Sequence, residues 1–189
     1  MNTPTYRSGK HVYLRPIAED DVPLLTQWIN DPDVTQYLKC AFPVSLQEEQ
    51  QWVKRVGNPT EHDISLGICL QTNQLIGTIG LHRIDWINRY ASTGTLIGTE
   101  KHRGKGYGTE AKMLLLDVAF NTLGLHKVMS HVLSFNGRSA RYSEKCGYKV
   151  EGVLKKHHYH NGAFHDEVVM AVFRKDWLPL WEAYKLNRQ

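Results

Sequence analysis

The chain of 189 residues has little cysteine. Cys40, Cys69 and Cys146 are odd in number and far apart, and no Cys-x-x-Cys occurs. A disulfide framework or zinc ribbon is therefore not expected, and a reducing, cytoplasmic setting is the default. Long apolar runs are also missing. The central segment offers only Met113 to Leu116, far short of a membrane span. Met1 to Lys10 is polar and has no apolar signal-peptide core, and neither end carries a lipidation signal. Charge of one sign is scarce too. Lys and Arg number 23 against 19 Asp and Glu, a formal net charge of +4. That balance suits an anionic ligand but is too weak and scattered to argue for nucleic acid. No internal repeat and no low-complexity tract is visible. What remains is one domain over 1–189, with its core expected at about 12–173. It is long enough to bury a real core without staples.

The pattern along the chain reads β-α-α-β-β-β-α-β-α-β-β. His11 to Ile17 alternates into a strand. Glu19-Asp20-Asp21 loads acid onto a helix start, and that helix ends at Asn30-Asp31-Pro32. Ser45-x-x-Glu48 is a capping box opening a second helix, which runs to about Val56 and stops at Gly57-Asn58-Pro59. Ile64–Leu70, Leu75–Ile84 and Ala91–Gly98 form an antiparallel meander, with Gly77, Gly80, Gly94 and Gly98 marking bulges or close backbone approach. A strong helix follows over Thr109–Leu123, then a strand at Lys127–Leu133 and a helix at Asn136–Cys146. Val150–Lys155 and Asp166–Phe173 close the sheet as a hairpin, and Trp177–Tyr184 is a short terminal helix. The fold class is α/β, a mixed and mostly antiparallel central sheet with helices on both faces.

The chemistry concentrates where a strand runs through Arg103-Gly104-Lys105-Gly106-Tyr107-Gly108 into a helix. Such a turn exposes backbone N–H groups at a helix N-terminus, where the macrodipole adds about half a positive charge. Its glycines allow close approach of an anion, and Arg103 and Lys105 add full charges, with Lys101 nearby. The segment reads as a pyrophosphate cradle. It is not a P-loop, because Gly104-Lys105 is not followed by Ser or Thr. It is not a dinucleotide fingerprint, because its glycines fall at every second residue after an antiparallel meander.

Arg103-x-x-Gly106-x-Gly108 matches in full the coenzyme A loop of the GNAT N-acetyltransferases. Downstream, Asn136-x-x-Ser139 and Glu144-Lys145-x-Gly147-Tyr148-x-x-Glu151-Gly152 resemble that superfamily's signature, and most of all its ribosomal-protein N-terminal (RimJ/RimL-type) branch and the polyamine acetyltransferases. Leu14-Arg15-Pro16, Glu19-Asp20-Asp21, Trp28 to Pro32 and Gly162 to Asp166 extend the resemblance over about Val12 to Val172.

The resemblance implies an acyl-CoA N-acyltransferase fold in which Ala91–Gly98 and Lys127–Leu133 splay apart to admit pantetheine. Backbone groups near Leu96 and Ile97 would pair with it, and one N–H would hold the thioester oxygen. Residues Gly104 to Gly108 would hold the pyrophosphate, with Asn136 and Ser139 near the pantetheine arm. Asn136 also suits plain helix capping. Asn136, Ser139 and Ser143 are expected on one helix face.

The implied reaction is acetyl transfer from acetyl-CoA to a primary amine, a protein N-terminal α-amine first and a polyamine, amino sugar or aminoglycoside second. A non-catalytic acyl-CoA-binding module is the alternative of a different class. Many relatives place an acid Tyr where Ser143 stands, with the tyrosine here one place earlier at Tyr142. In the ribosomal-protein branch the motif serine, which maps to Ser139, takes the acid role, so Ser139 ranks first and Tyr142 second for protonating the thiolate. Relatives often place a Glu where Ser92 stands, which leaves Asp85 and His82 as candidates for the base. His157, His158, His160 and His165 with Asp166 meet no known zinc spacing, so no metal is expected, and they would line the acceptor mouth or face solvent. Trp86 could line the acceptor site. Cys146 lacks a partner His and reads as packing. No membrane or direct nucleic-acid partner is expected, and the sequence leaves open whether the chain forms a homodimer.

Overall fold

Residues 4–38, 42–56 and 62–187 are described by the structure, a computed structural model. Cys40 and the helix stop expected at Gly57-Asn58-Pro59 lie outside them. Among the described residues the strands form one eight-stranded sheet in the order β1-β2-β3-β4-β5-β6-β8-β7. They are β1 (Arg7–Ser8), β2 (Val12–Pro16), β3 (Ile64–Leu70), β4 (Leu75–Asp85), β5 (Tyr90–Ile97), β6 (Lys127–Leu133), β7 (Lys149–His160) and β8 (Ala163–Phe173). Every neighbouring pair is antiparallel except β5 and β6. These two are joined by the crossover helix α4 (Tyr107–Asp117) and lie parallel, as a strand–helix–strand unit requires.

The helices α1 (Val22–Ile29), α2 (Pro32–Thr35) and α3 (Leu46–Val56) precede the meander. After β6 come α5 (Gly137–Lys145) and the terminal α6 (Arg174–Leu186). The capping box forms as expected: the Ser45 N–H donates to Glu48 Oε2 at 2.9 Å and the Glu48 N–H to Ser45 Oγ at 3.2 Å. One sheet face packs on α4 and α6 through Leu14, Ile68, Ile76, Leu115, Val128 and Trp177. The other packs on α1 and α3 through Tyr13, Leu25, Trp28, Val53 and Leu75. At the entry to α1 the buried Arg15 forks onto both oxygens of Asp21, 2.7 Å each. This pairing and its hydrogen bonds hold Arg15 well above its ordinary pKa.

Several expectations need correction. The helix after Gly108 begins earlier, at Tyr107, and its last turns, Val118–Thr122, widen into a π-helix. Asp31 does not only end α1. Its side chain accepts from the Asp33 N–H and opens the short helix α2. The closing hairpin is much longer than Val150–Lys155 and Asp166–Phe173. Asn161 and Gly162, with φ of 48° and 81°, turn the chain in two residues and carry both strands to the tip. The strand β8 also lies between β6 and β7, so β6 pairs with a strand well downstream, from Lys127↔Phe173 to Leu133↔Glu167.

The ends of the fold meet on one carboxylate. Glu110, in the first turns of α4, accepts the backbone N–H groups of Lys10 and His11 in the β1–β2 turn. It also accepts the Tyr184 hydroxyl of α6 at 2.6 Å.

Candidate active site

The parallel pair β5–β6 keeps register only from Tyr90↔Lys127 to Thr93↔Ser130. Beyond that rung the strands separate, while β5 remains paired with β4 out to Ile97. A cleft of about 580 Å³ opens in the fork, lined by both strand ends, the turn before α4 and one side of α5. Leu96 and Ile97 lie past the last rung. Leu96 packs toward α1 and α3, and Ile97 toward α4. Their backbone edge toward β6 has no strand partner among the described residues.

Gly104, Gly106, Tyr107 and Gly108 line the head of the cleft. Gly106 is the residue before α4 and has φ +84°, while Gly104 has φ +75°. A Cβ at either would meet nothing within 4 Å. Glycine is needed for the backbone conformation, and the space beside it is open for a ligand. Gly108 differs. It has ordinary helical backbone, and a Cβ there would touch Ile97 at 3.9 Å.

The two cations of the loop have different surroundings. Arg103 turns its guanidinium onto backbone carbonyls, donating to Ile97 O at 3.2 Å, Asp33 O at 3.2 Å and Gly98 O at 3.4 Å. It fastens the loop to the end of β5 and to α2. Lys105 is exposed and does not line the cleft. Three cations that the sequence reading missed, Arg138, Arg141 and Lys145, line it from α5. Their spacing along one helix face was the available signal.

Asn136 caps α5: its side chain accepts from the Ser139 N–H at 3.1 Å, and the residue also lines the cleft. Ser139 and Tyr142 line it together. Ser143 does not share their side. It is fully buried and accepts from Lys112 Nζ at 3.3 Å. Lys112 is itself fully buried, with its ammonium 4.3 Å from the Tyr142 ring centre and 4.6 Å from that of Tyr148. Burial pushes the Tyr148 hydroxyl up to about 12, and it lies 3.3 Å from Thr93 Oγ1 at the last rung. Burial likewise drives the Cys146 thiol up to about 12, which fits packing rather than nucleophilic use.

Asp85 is not brought to the site. Its carboxylate closes its own turn, accepting the Asn88 N–H at 2.7 Å and the Asn88 side chain at 2.9 Å. These bonds hold it below the usual carboxylate range. It does not line the cleft, and neither does Trp86. His82 does line it, with Nδ1 3.2 Å from Asp63 Oδ1. A Cβ at Gly94 would stand 3.3 Å from its Nε2, so the small residue on β5 leaves room for the ring.

Across the fork, His131 of β6 also lines the cleft. Its Nδ1 lies 2.5 Å from Oε1 of the buried Glu167 on β8. The other Glu167 oxygen is bonded by His158 Nε2 from β7. Glu167 and His131 carried no sequence signal as a pair. His157, His158 and Glu167 cluster within 4.8 Å, but His158 and Glu167 are in direct hydrogen-bond contact. Here the Glu167 oxygens are taken up by His131 and His158. His160 and His165 pack around Phe135, at 5.6 and 4.7 Å between ring centres.

The comparisons agree with this geometry. The model of the acetyltransferase (GNAT) domain matches residues 11–149. The uncharacterized N-acetyltransferase p20 of Bacillus licheniformis is 26% identical over 172 residues, covering 87% of this chain and 93% of its own. The spermidine N(1)-acetyltransferase of Escherichia coli K12 is 25% identical over 172 residues, covering 90% of each. The crystal structure of spermidine N-acetyltransferase from Vibrio cholerae in complex with CoA and spermine superposes with a TM-score of 0.82. It covers 89% of this chain and 98% of its own at 24% identity, and so speaks for the fold. A forked parallel pair, an open glycine turn at a helix N-terminus and a family match over most of the chain converge: the chain belongs to the GNAT family, as an acetyl-CoA-dependent N-acetyltransferase.

Proposed function

We propose that the protein transfers the acetyl group of acetyl-CoA to the primary amine of a small molecule. The observation that carries this reading is the continuity of one cleft from the open turn at Gly104 and Gly106 to the fork beyond Thr93↔Ser130. The turn supplies N–H groups and the helix dipole to a pyrophosphate, and Arg138, Arg141 and Lys145 add positive charge beside it. The edge at Leu96 and Ile97, without a strand partner toward β6 among the described residues, suits an extended pantetheine arm that adds as a strand. An N–H of that edge, aimed at the thioester oxygen, would stabilise the oxyanion, an effect worth about 3 kcal/mol.

The amine attacks the thioester carbon, the C–N bond forms, and the C–S bond breaks as the tetrahedral intermediate collapses. The departing thiolate takes a proton. Ser139 and Tyr142 both line the cleft, and Ser139 remains first for this role because its hydroxyl makes no hydrogen bond among the described residues. Tyr142 has its ring held by Lys112.

The sequence motifs favour a protein N-terminal α-amine of the ribosomal type. The spermidine acetyltransferase among the relatives moves a small amine ahead of it. No Asp or Glu lines the cleft among the described residues, whereas His82, Arg83 and His131 do. That lining supports a small amine of low positive charge over a polycation. Thiol release from acetyl-CoA tests the reading with glucosamine, kanamycin, spermidine, benzylamine and a peptide with a free N-terminus. Saturable turnover with a small amine supports it. Turnover confined to the peptide restores the N-terminal reading, and CoA binding without turnover on any amine leaves only a binding module.

A further inference from the structure

The reacting amine arrives as an ammonium at neutral pH and must lose a proton before it attacks. The family position for a carboxylate is occupied by Ser92, and Asp85 is tied into its turn. Three imidazoles line the cleft: His102, beside the glycine turn with its Nδ1 2.9 Å from Thr99 Oγ1, and His82 and His131, which the sheet puts together on one face. His82 pairs with Ser92, and Ser92 with Met129. Alternation then places His131, two residues on from Met129, on that same face. The opposite face carries α4 and the glycine turn, so the donor enters from one side and both histidines stand on the other.

We infer that His131 is the base that deprotonates the acceptor amine, with Glu167 and His158 as its positioning residues. This rests on the acetyltransferase reading above. His131 is the first residue of β6 beyond the last rung with β5, at the bottom of the fork where the carbonyl carbon would sit. With the Glu167 carboxylate accepting, Nδ1 carries the proton and Nε2 keeps a free lone pair. Nε2 makes no hydrogen bond among the described residues. Glu167 has only 3% of its side chain exposed, and His158 fills its second oxygen, so the carboxylate is fixed from both sides. The corresponding pair on β4 is looser. Asp63 is 48% exposed at its side chain and is shared with the Arg83 N–H at 3.3 Å.

The step balances simply. An N–H bond of the ammonium breaks and its proton passes to Nε2 of His131, giving an imidazolium beside the Glu167 carboxylate. The amine lone pair then attacks, and the imidazolium returns its proton to solvent after product leaves. The charged groups around His131 are Glu167 on β8, His157 and His158 on β7, and His82 and Arg83 across the cleft on β4.

The test compares wild type with His131→Gln, Glu167→Gln, His158→Gln and His82→Gln, using the small amine from the panel that turns over fastest. Acetyl-CoA binding by thermal shift reports that each variant is folded. His131→Gln is expected to lower kcat at pH 7 by at least 100-fold, with the KM for acetyl-CoA unchanged. Its rate should then climb about tenfold per pH unit as the free amine fraction rises, a profile that a merely structural loss does not produce. Glu167→Gln should lower kcat about tenfold or more and move the acid limb. Should Glu167→Gln not fold, His158→Gln keeps the positioning role testable through a smaller shift of the same limb. A His131→Gln enzyme with the wild-type pH profile overturns the inference, as does loss of the acid limb in His82→Gln alone. Absence of turnover in the wild type with every amine overturns the activity reading and the base together. Turnover with an unchanged profile overturns the base alone.

Discussion

Lys112 holds its ammonium 4.3 Å from the centre of the Tyr142 ring, fully buried and without a carboxylate bonded to it among the described residues. The charge is held by the faces of two tyrosines and the hydroxyl of Ser143, an arrangement in which a desolvated cation–π contact is worth about 2 kcal/mol. Lys112→Met should therefore destabilise the fold. The buried Ser143 hydroxyl loses its donor, which costs about 1–3 kcal/mol. Urea unfolding measures this as a lower midpoint. An unchanged midpoint would show that the ammonium contributes nothing net.

The same contact separates the two acid candidates. Tyr142→Phe retains the ring over Lys112 and loses only the hydroxyl. Ser139→Ala removes a hydroxyl without touching the cap, because Asn136 bonds the Ser139 backbone N–H. Ser139→Ala is expected to lower kcat by about 10- to 100-fold, and Tyr142→Phe by less than fivefold, within the general range of acid catalysis. Steady-state thiol release with both variants decides the order, and the reverse ranking assigns the proton to Tyr142.

Gly106→Val should lose acetyl-CoA affinity by at least 100-fold. The side chain enters the open space beside the turn, and an L-residue at φ +84° is strained by about 1–2 kcal/mol. Gly108→Ala has neither fault, and its Kd for CoA by calorimetry should change less than fivefold. Equal losses in both variants would mean that helix packing, not the open turn, governs binding.

Gly98→Ala is expected to disturb the junction of β5 and α1. A Cβ there would lie 2.0 Å from the Trp28 ring, and overpacking of this kind costs about 1–3 kcal/mol. A lower Tm with the Trp28 fluorescence shifted toward exposure is the expected result. Full wild-type stability would mean that α1 moves away freely.

Cys69 and Cys146 are both buried, and burial pushes both thiols up, Cys146 to about 12. At pH 8 each is overwhelmingly protonated in the native state, so neither should react with iodoacetamide until the protein is denatured. Peptide mapping after native labelling checks this. Rapid native labelling of Cys146 would reopen a nucleophilic role for it.

The parts of this molecule that were legible in its sequence are those fixed by near neighbours. The Ser45–Glu48 box, the glycine turn before α4 and the Asn136 cap each close within a few residues, so their composition dictates their geometry. Asp85, a candidate base from the sequence, is tied into its own turn for the same local reason. A carboxylate in a tight turn finds its own backbone N–H groups first, and nothing in the spacing says whether a substrate could compete. His131, Glu167 and His158 could not be read in advance. Their meeting depends on β8 inserting between β6 and β7 and on a register shift between Leu154 and His158. In this irregular stretch Lys156 takes φ +49°. Strict alternation, which is all a sequence offers for a strand, fails across such a shift.

Glu110 ties three parts of the chain to one point, one turn past Gly106. Through it the β1–β2 turn and the α6 tyrosine pull on the same helix whose first residues shape the anion seat. The seat is thus tethered to both ends of the sheet's wrapping. On the proposed reading of the Gly104–Gly108 turn as the pyrophosphate seat, a tag that drags on α6 or a substitution at Tyr184 is expected to weaken coenzyme binding as well as stability.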